Sequence, residues 1–344
     1  MNSSKDALIG PYQIAFDITN HCNYRCLHCY NASGENSIID NELSDDEIIN
    51  FISDVATLKP NNFCFCGGEP LLRLPLLLKC ADILHNGGIS NIALVSNGYY
   101  VTEDVLHSLS EHHVNGIQIS LDGATEYSCF ALRQNTLAYE RATNALRLIS
   151  SFGNTFIPSV AFCPTNHNVS ELESVFQFCC EQHIRQLRVQ PLMIIGRASK
   201  NNRKIIPSDE QYIELVKTIH KCNQKPSVST HIDWGDPLAH IFDMANTTQM
   251  YPTFMSVKAN GALDVSPYLP LAVGNIRKHS IIEYWNAGFV NIWSLDIVKE
   301  MAAQLYSVEN MAALTGHEAS WYAEDQEIDI IDDIGIHNIL RKDI

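Results

Sequence analysis

Over the first two hundred residues, short apolar runs alternate with stretches whose apolar positions recur every three or four residues. The runs predict strands near 12–18, 61–66, 90–96, 115–121, 155–162 and 186–190. The periodic stretches predict helices near 44–57, 74–86, 103–112, 137–151 and 170–183. The first helix has a clear start, because Ser44-Asp45-Asp46-Glu47 is a capping-box pattern ahead of Ile48, Ile49 and Phe51. Strand–helix alternation implies right-handed βαβ units and a parallel sheet. Six units are too few for a closed eight-fold barrel. An active site on such a sheet belongs at the C-terminal strand ends, where the βα loops gather.

The pattern changes after about residue 235. Residues 256–265 read as a hairpin around Asn260-Gly261, a turn whose two central positions both favour positive φ. Gly274-Asn275-Ile276 and a helix-like Ile281-Ile282-Glu283-Tyr284-Trp285 follow, with helical stretches near 289–314. The final segment, 317–344, holds eight acidic residues against Arg341 and Lys342 and mixes Ile with Asp over 328–334. Such a tail reads as a solvated amphipathic segment packed on the barrel. The alternative is a lid or a strand that docks a partner.

The chemistry begins directly after the first strand. Cys22, Cys26 and Cys29 are spaced C-x3-C-x2-C on one short loop. Three thiolates there suit three irons of a four-iron, four-sulfur cluster, leaving one iron open to a substrate or cofactor. Zinc is the alternative. It would pair Cys26 and Cys29 with Cys64 and Cys66, at a tight spacing and with Cys22 surplus.

With Gly67-Gly68-Glu69-Pro70, Val95-Ser96-Asn97-Gly98, Ile119-Ser120-Leu121-Asp122-Gly123, Arg133, and Gln190-Pro191-Leu192 ahead of Gly196-Arg197-Ala198, the triplet resembles the radical S-adenosylmethionine (SAM) superfamily. The resemblance covers about residues 10–200 and, more weakly, 250–290. It implies an α/β fold, an open partial (β/α)6 barrel, with one [4Fe-4S] cluster on Cys22, Cys26 and Cys29. The fourth iron would chelate SAM, and one electron would yield a 5′-deoxyadenosyl radical that abstracts hydrogen from carbon. It further implies that Gly67, Gly68 and Glu69 meet the SAM amino group. Ser96, Asn97, Ser120 and Asp122 would contact ribose or methionyl groups, and Arg133 would clamp the carboxylate. His28 would meet adenine, and Leu192 falls at the same cofactor site.

The C-terminal pattern looks like the extension called SPASM or twitch, which carries auxiliary clusters in its families. Here no Cys follows Cys222, and Ser266 stands where a Cys ligand is expected, so the extension cannot hold a cluster through its own thiolates. The organisation is thus a barrel at 1–235, a degenerate extension at 236–290 and a helical, acidic segment at 291–344. Families with this pattern chiefly crosslink or epimerise ribosomally made peptides. A peptide substrate is therefore expected, with an electron donor of the flavodoxin or ferredoxin type. Strand one starts near Pro11, leaving no room for an N-terminal winged helix, so leader recognition calls for the C-terminal segment or a separate leader-binding protein. The alternatives are a small-molecule radical SAM enzyme, such as a dehydrogenase or cofactor-pathway enzyme, and a non-catalytic iron–sulfur or zinc scaffold.

Charge and cysteine usage narrow the partners. A formal net charge of −16 disfavours nonspecific nucleic-acid binding through a basic surface. Eleven cysteines without a signal peptide point to a reducing, cytoplasmic setting rather than a disulfide framework. The apolar run 71–78 is broken by Arg73 and Pro75 and cannot span a bilayer. Cys64 and Cys66 share one face of strand two, and small buried hydrophobes are the default reading for such thiols. Cys129 and Cys163 are the candidate catalytic residues, as donors of a proton or of a hydrogen atom that quenches a product radical. Cys179 and Cys180 are expected to pack on a helix.

Overall fold

Strand alternation sets the architecture. Strands β1 (Gln13–Thr19), β2 (Asn62–Gly67), β3 (Asn91–Ser96), β4 (Gly116–Ser120), β5 (Ile157–Phe162) and β6 (Gln186–Val189) pair in parallel, in chain order. On each, one residue set is fully buried: Ile14 and Phe16, Phe63 and Phe65, Ile92 and Leu94, Ile117 and Ile119. The intervening set, including Gln13, Asp17, Cys64, Gln118, Ser159 and Arg188, lines the lumen on the other face. The computed structural model describes residues 10–35, 37–199, 205–225, 230–246, 254–307 and 326–334.

The first six helices are α1 (Asp45–Leu58), α2 (Leu74–Asn86), α3 (Glu103–Glu111), α4 (Glu126–Arg133), α5 (Ala138–Ser151) and α6 (Leu172–Glu181). Five of them match the predicted stretches closely, and α1 carries the Ser44–Glu47 capping box. Helix α4 was not predicted. It is eight residues long, with Thr125 accepting from the Ser128 amide at its start. Only Cys129 and Leu132 supply buried apolar positions on it, too few to show a period.

The open partial barrel is wider than six units. Strand β7 (His231–Trp234) adds in parallel to β6, and β8 (Phe254–Val257) adds in parallel to β1. Eight parallel strands therefore run side by side. Both additions are four residues long, and β8 presents itself in sequence only as one arm of a hairpin. It is that as well, since its other edge pairs antiparallel with β9 (Ala262–Asp264). Strand β10 (Leu271–Asn275) continues the sheet from β9, so the extension grows out of the barrel's edge instead of forming a separate layer.

The hairpin turn differs from the expected type. Gly261 takes φ +86°, while Asn260 is not among the described residues with positive φ. The Gly261 amide donates to the Lys258 carbonyl, and Asn260 Oδ1 accepts from the Ala262 amide. A single left-handed glycine thus closes a four-residue loop, and Asn260 acts through its side chain.

Helices α7 (Asp209–Asn223), α8 (Pro237–Asn246), α9 (Ile281–Asn286) and α10 (Asp296–Ala302) follow in the second half of the chain, with a 3-10 stretch over Phe289–Ser294. Part of the acidic tail is built into the fold. Strand β11 (Gln326–Glu327) pairs with β10, Ile330 is fully buried, and the Tyr284 hydroxyl donates to Asp329 at 2.7 Å. Residues 326–334 are thus packed on the extension, and β11 is the outermost described strand of the sheet on that side. The rest of 317–344, and the helical stretch beyond 307, lie outside the described residues. Among those described, no helix is long and apolar enough to cross a membrane.

Candidate active site

The loop after β1 carries the three cysteines, and the fold grips it from three sides. Cys26 is buried; Cys22 and Cys29 are half-buried. The first grip comes from the loop after β2. The amide of Gly68 donates to the Thr19 carbonyl at 2.8 Å, and that of Glu69 to the His21 carbonyl at 2.9 Å. A Cβ on Gly67 would lie 2.2 Å from the Thr19 oxygen, and one on Gly68 2.0 Å from the His21 oxygen. Gly67 also takes φ +125°. The close backbone approach these glycines permit is therefore to the cysteine loop itself.

Glu69 is fully buried at that junction. Its carboxylate accepts from Ser96 Oγ and the Asn97 amide, each at 2.9 Å, and from the Leu71 amide at 3.2 Å. Burial pushes it up to about 7, against the opposing pull of those hydrogen bonds. Glu69 thus ties the loops after β2 and β3 together. Asn97 extends the tie, because its Nδ2 donates to Asn23 Oδ1 at 2.8 Å and lies 4.0 Å from Cys22 Sγ.

The second grip comes from α4 and the end of β4. The Leu27 amide donates to the Leu132 carbonyl. Asp122, 1% exposed, sits 2.6 Å from an Arg133 terminal nitrogen and 3.0 Å from His28 Nε2. Its other oxygen accepts from the Cys163 amide. Burial alone would raise Asp122, but Arg133 and His28 more than offset it and hold the carboxyl well below its usual range. The third grip comes from the loop after β6. Gly196 takes φ +58°, and a Cβ there would lie 2.1 Å from the Tyr30 oxygen. Arg197 donates to the carbonyls of Cys26 and Ser33 at 2.9 and 3.0 Å.

The donor set suits an iron–sulfur cluster with a bound cofactor. Four buried polar atoms lack a hydrogen-bond partner here: Asn23 Nδ2, Tyr24 Oη, His28 Nδ1 and Arg133 Nε. Three sit on the cysteine loop and the fourth on α4 against it, so the orphaned polarity gathers where cluster and SAM belong. Burial pushes the Cys22 and Cys26 thiols up to about 11 and 12, so metal binding must expel their protons. Leu192 packs with Leu132, Leu27 and Cys163 in a small apolar cluster beside the loop. Ser120 ends β4, half-buried.

Neither candidate catalytic cysteine is among the residues that line the central cavity. Cys129 is 1% exposed in the main core, with Sγ 3.6 Å from the Gly123 carbonyl, and burial pushes its thiol up to about 12. Cys163 is half-buried against Leu192, and burial holds it well above the ordinary thiol value. Cys129 is a packing position on the inward face of α4, whereas Cys163 continues the Ser159 and Ala161 face of β5 and sits with Leu27 in the apolar cluster beside the cysteine loop. The thiols that do line the lumen are Cys64 and Cys66.

That lumen is a partly open cavity of about 650 Å³, whose lining mixes apolar side chains with carboxamides such as Asn62, Asn91 and Gln118 and with Asp17 and Arg188. Its upper end is bordered by Tyr30 from the cysteine loop and Tyr268 from the extension, whose hydroxyl accepts from Gln190 at 2.9 Å. Tyr268, Tyr30 and Arg197 carried no role in the sequence reading. Arg197 had a signal in Gly196-Arg197-Ala198, but Tyr268 becomes visible only once the extension folds over the barrel.

Residues 16–179 match the model of the family described as Radical SAM superfamily. The chain is 26% identical over 294 residues to the AdoMet-dependent heme synthase of Methanosarcina barkeri (strain Fusaro / DSM 804), covering 80% of this chain and 82% of the relative. Among solved structures it superposes on Streptococcus suis SuiB bound to precursor peptide SuiA with a TM-score of 0.65 at 14% identity. That match covers 85% of this chain but spans only 66% of the length of SuiB. It also superposes on native anSMEcpe with bound AdoMet and Cp18Cys peptide, with a TM-score of 0.62 at 13% identity, covering 91% and 94% of the two chains. Taken with the three-cysteine loop and the parallel partial barrel, the match places residues 16–179 in the radical SAM superfamily: the chain is a radical SAM enzyme that uses a [4Fe-4S] cluster and SAM.

Proposed function

We propose that this enzyme removes hydrogen from carbon in a ribosomally made peptide, one segment of which enters the barrel lumen. The observation that carries the radical chemistry is the three-thiol loop, gripped from three sides and ringed by unpartnered buried donors. Cluster and SAM, when bound, supply the 5′-deoxyadenosyl radical. The chain's own residues position the loop through Asn97, Arg197 and Leu132, and hold a buried charge beside it through Asp122, Arg133 and His28. Arg133 spends one nitrogen on Asp122 and keeps Nε for a carboxylate partner such as that of SAM. Two features support a peptide. Carboxamides line the lumen, most of them at the N-terminal strand ends with Gln190 at the cysteine-loop end, and they pair equally well with backbone N–H and C=O groups. Two structures sharing the fold hold a peptide.

A small-molecule substrate is the second reading. A volume of about 650 Å³ falls in the ordinary range of small-molecule sites, and a heme synthase is among the relatives.

Anaerobic reconstitution followed by reduction in the presence of SAM tests the chemistry. The expected result is about four iron and four sulfide per chain, as for a single cluster, and release of 5′-deoxyadenosine. No cleavage by protein carrying a full cluster would leave the scaffold reading. Turnover with a short precursor peptide encoded beside the gene, against a low-molecular-weight cell extract, tests the substrate. Stimulation by the extract alone would replace the peptide.

A further inference from the structure

Two of the eleven cysteines stand apart. Cys80, Cys129, Cys179 and Cys222 are buried small hydrophobes. Cys64 and Cys66 are half-buried on the lumen face of β2, and the Cys66 thiol donates to Cys64 Sγ at 3.6 Å. Strand alternation at i and i+2 puts both on one face. Cys66 stands level with Asp17 of β1, whose strand runs directly into the cysteine loop. It lines the same cavity as Tyr30, the neighbour of Cys29. The dyad thus occupies the stretch of lumen wall next to where the radical arises.

We propose that Cys66, backed by Cys64, is the hydrogen-atom donor that ends the radical reaction in the lumen. The inference rests on reading the lumen as the substrate cavity. A carbon radical on the substrate takes the hydrogen atom from Cys66 Sγ, because an S–H bond is weaker than the C–H bond formed. Cys64 then loses its proton to solvent, and its sulfur joins the Cys66 thiyl as a disulfide radical anion. The odd electron leaves to a one-electron carrier of the flavodoxin or ferredoxin class. In sum, the two thiols become one disulfide, the substrate gains one hydrogen atom, and one proton and one electron are released. A dithiol reductant resets the pair. The hydrogen bond to Cys64, together with burial, holds the Cys66 thiol well above its ordinary value, so it carries its hydrogen at neutral pH. Residues two apart on a strand lie about 6.7 Å apart at Cα, just inside the span of about 4.4–6.8 Å that a disulfide bridges. The reaction class that follows removes hydrogen from carbon and returns it, as in inversion of a residue's configuration, and not crosslinking.

The test needs no substrate. Reconstituted holoenzyme is reduced by titanium(III) citrate with SAM in D2O, without added thiol, and the 5′-deoxyadenosine is analysed by mass spectrometry. Exchanged S–D on the dyad should place deuterium in the wild-type product. The label should be lost in Cys66→Ser and in the Cys64→Ser/Cys66→Ser double variant, and kept in Cys180→Ser. An unlabelled wild-type product, or a label that survives Cys66→Ser, overturns the dyad while leaving the radical chemistry intact. No 5′-deoxyadenosine from wild-type protein with a full cluster overturns the proposed function, and the dyad with it. An independent measurement uses the reconstituted holoenzyme. Diamide oxidation should yield a Cys64–Cys66 disulfide in peptide maps, with the circular dichroism spectrum unchanged. Two free thiols after oxidation of the folded chain would also overturn the assignment.

Discussion

Two buried carboxylates sit at opposite sides of the cysteine loop, and their surroundings push them in opposite directions. Glu69 meets only neutral donors: a hydroxyl and two backbone amides. Those dipoles do not replace the lost hydration, and the group is pushed up to about 7. Asp122 is equally buried but faces a guanidinium and an imidazole, and it stays ionised well below the usual range. One side of the loop is therefore held by amide geometry and close-fitting glycines, the other by charge. The difference teaches that burial alone does not fix a carboxylate's state; the sign of what faces it does.

The charged side should be the more fragile. Arg133→Met leaves Asp122 buried and without its strongest partner. Removing one member of a buried pair costs about 3–5 kcal/mol, which urea unfolding of the apoprotein would show. A loss below about 1 kcal/mol, the scale of an exposed pair, would mean that water reaches Asp122.

Glu69→Gln probes the neutral side through pH. Glu69 binds its proton more tightly folded than unfolded, so the wild-type chain loses stability as pH rises from about 4.5 to about 7. The loss is on the order of 3 kcal/mol and levels off above that window. In Glu69→Gln this fall should vanish. Asp122→Asn should act in the other direction. The stability contributed by Asp122 is fully present above about 3.8 and is lost as pH falls toward its depressed folded value. The variant should therefore be weaker than wild type at neutral pH and converge on it in acid. Denaturation midpoints from pH 8 down into strong acid, well below pH 3, separate the two sides; parallel curves for the two variants would erase the contrast.

Gly68→Ala tests the close fit. Its Cβ would strike the His21 carbonyl, so the loops must part at a cost of about 1–3 kcal/mol, with weaker retention of iron under a chelator. Asn97→Ala adds no backbone clash and removes two hydrogen bonds, one to Asn23 and one accepted from the Tyr99 amide, for about 1 kcal/mol each. It should speed chelator stripping of the cluster less than Gly68→Ala does.

Much of this was legible in the sequence, because it is written in local patterns. Six strands and five helices follow from runs and periods, and the cysteine loop from its spacing. What was hidden depends on partners distant in the chain. The hydrogen bonds that Ser96 and Asn97 make to Glu69 cannot be read from its motif. The contact of Gly67 and Gly68 with the Thr19 and His21 carbonyls is likewise invisible in their motif. Helix α4 has too few apolar positions to announce itself, although it carries Arg133 and holds Leu27. Cys129 could be assigned to the core only once α4 was known to be a helix with that face inward.

Strand β8 has a consequence for how the chain is made. It zips onto β1 from two thirds of the chain further on. At the pace of a ribosome, that edge of β1 waits on the order of ten seconds or more for its neighbour. Meanwhile the nascent barrel exposes a row of unpaired amides next to the loop that must receive iron and sulfide. The cell therefore has an interval in which this edge is open to wrong pairing, and a chain stalled before residue 254 would present it indefinitely. Truncated forms should be sticky and chaperone-bound, and the last barrel strand to be synthesised is the one that shields the first.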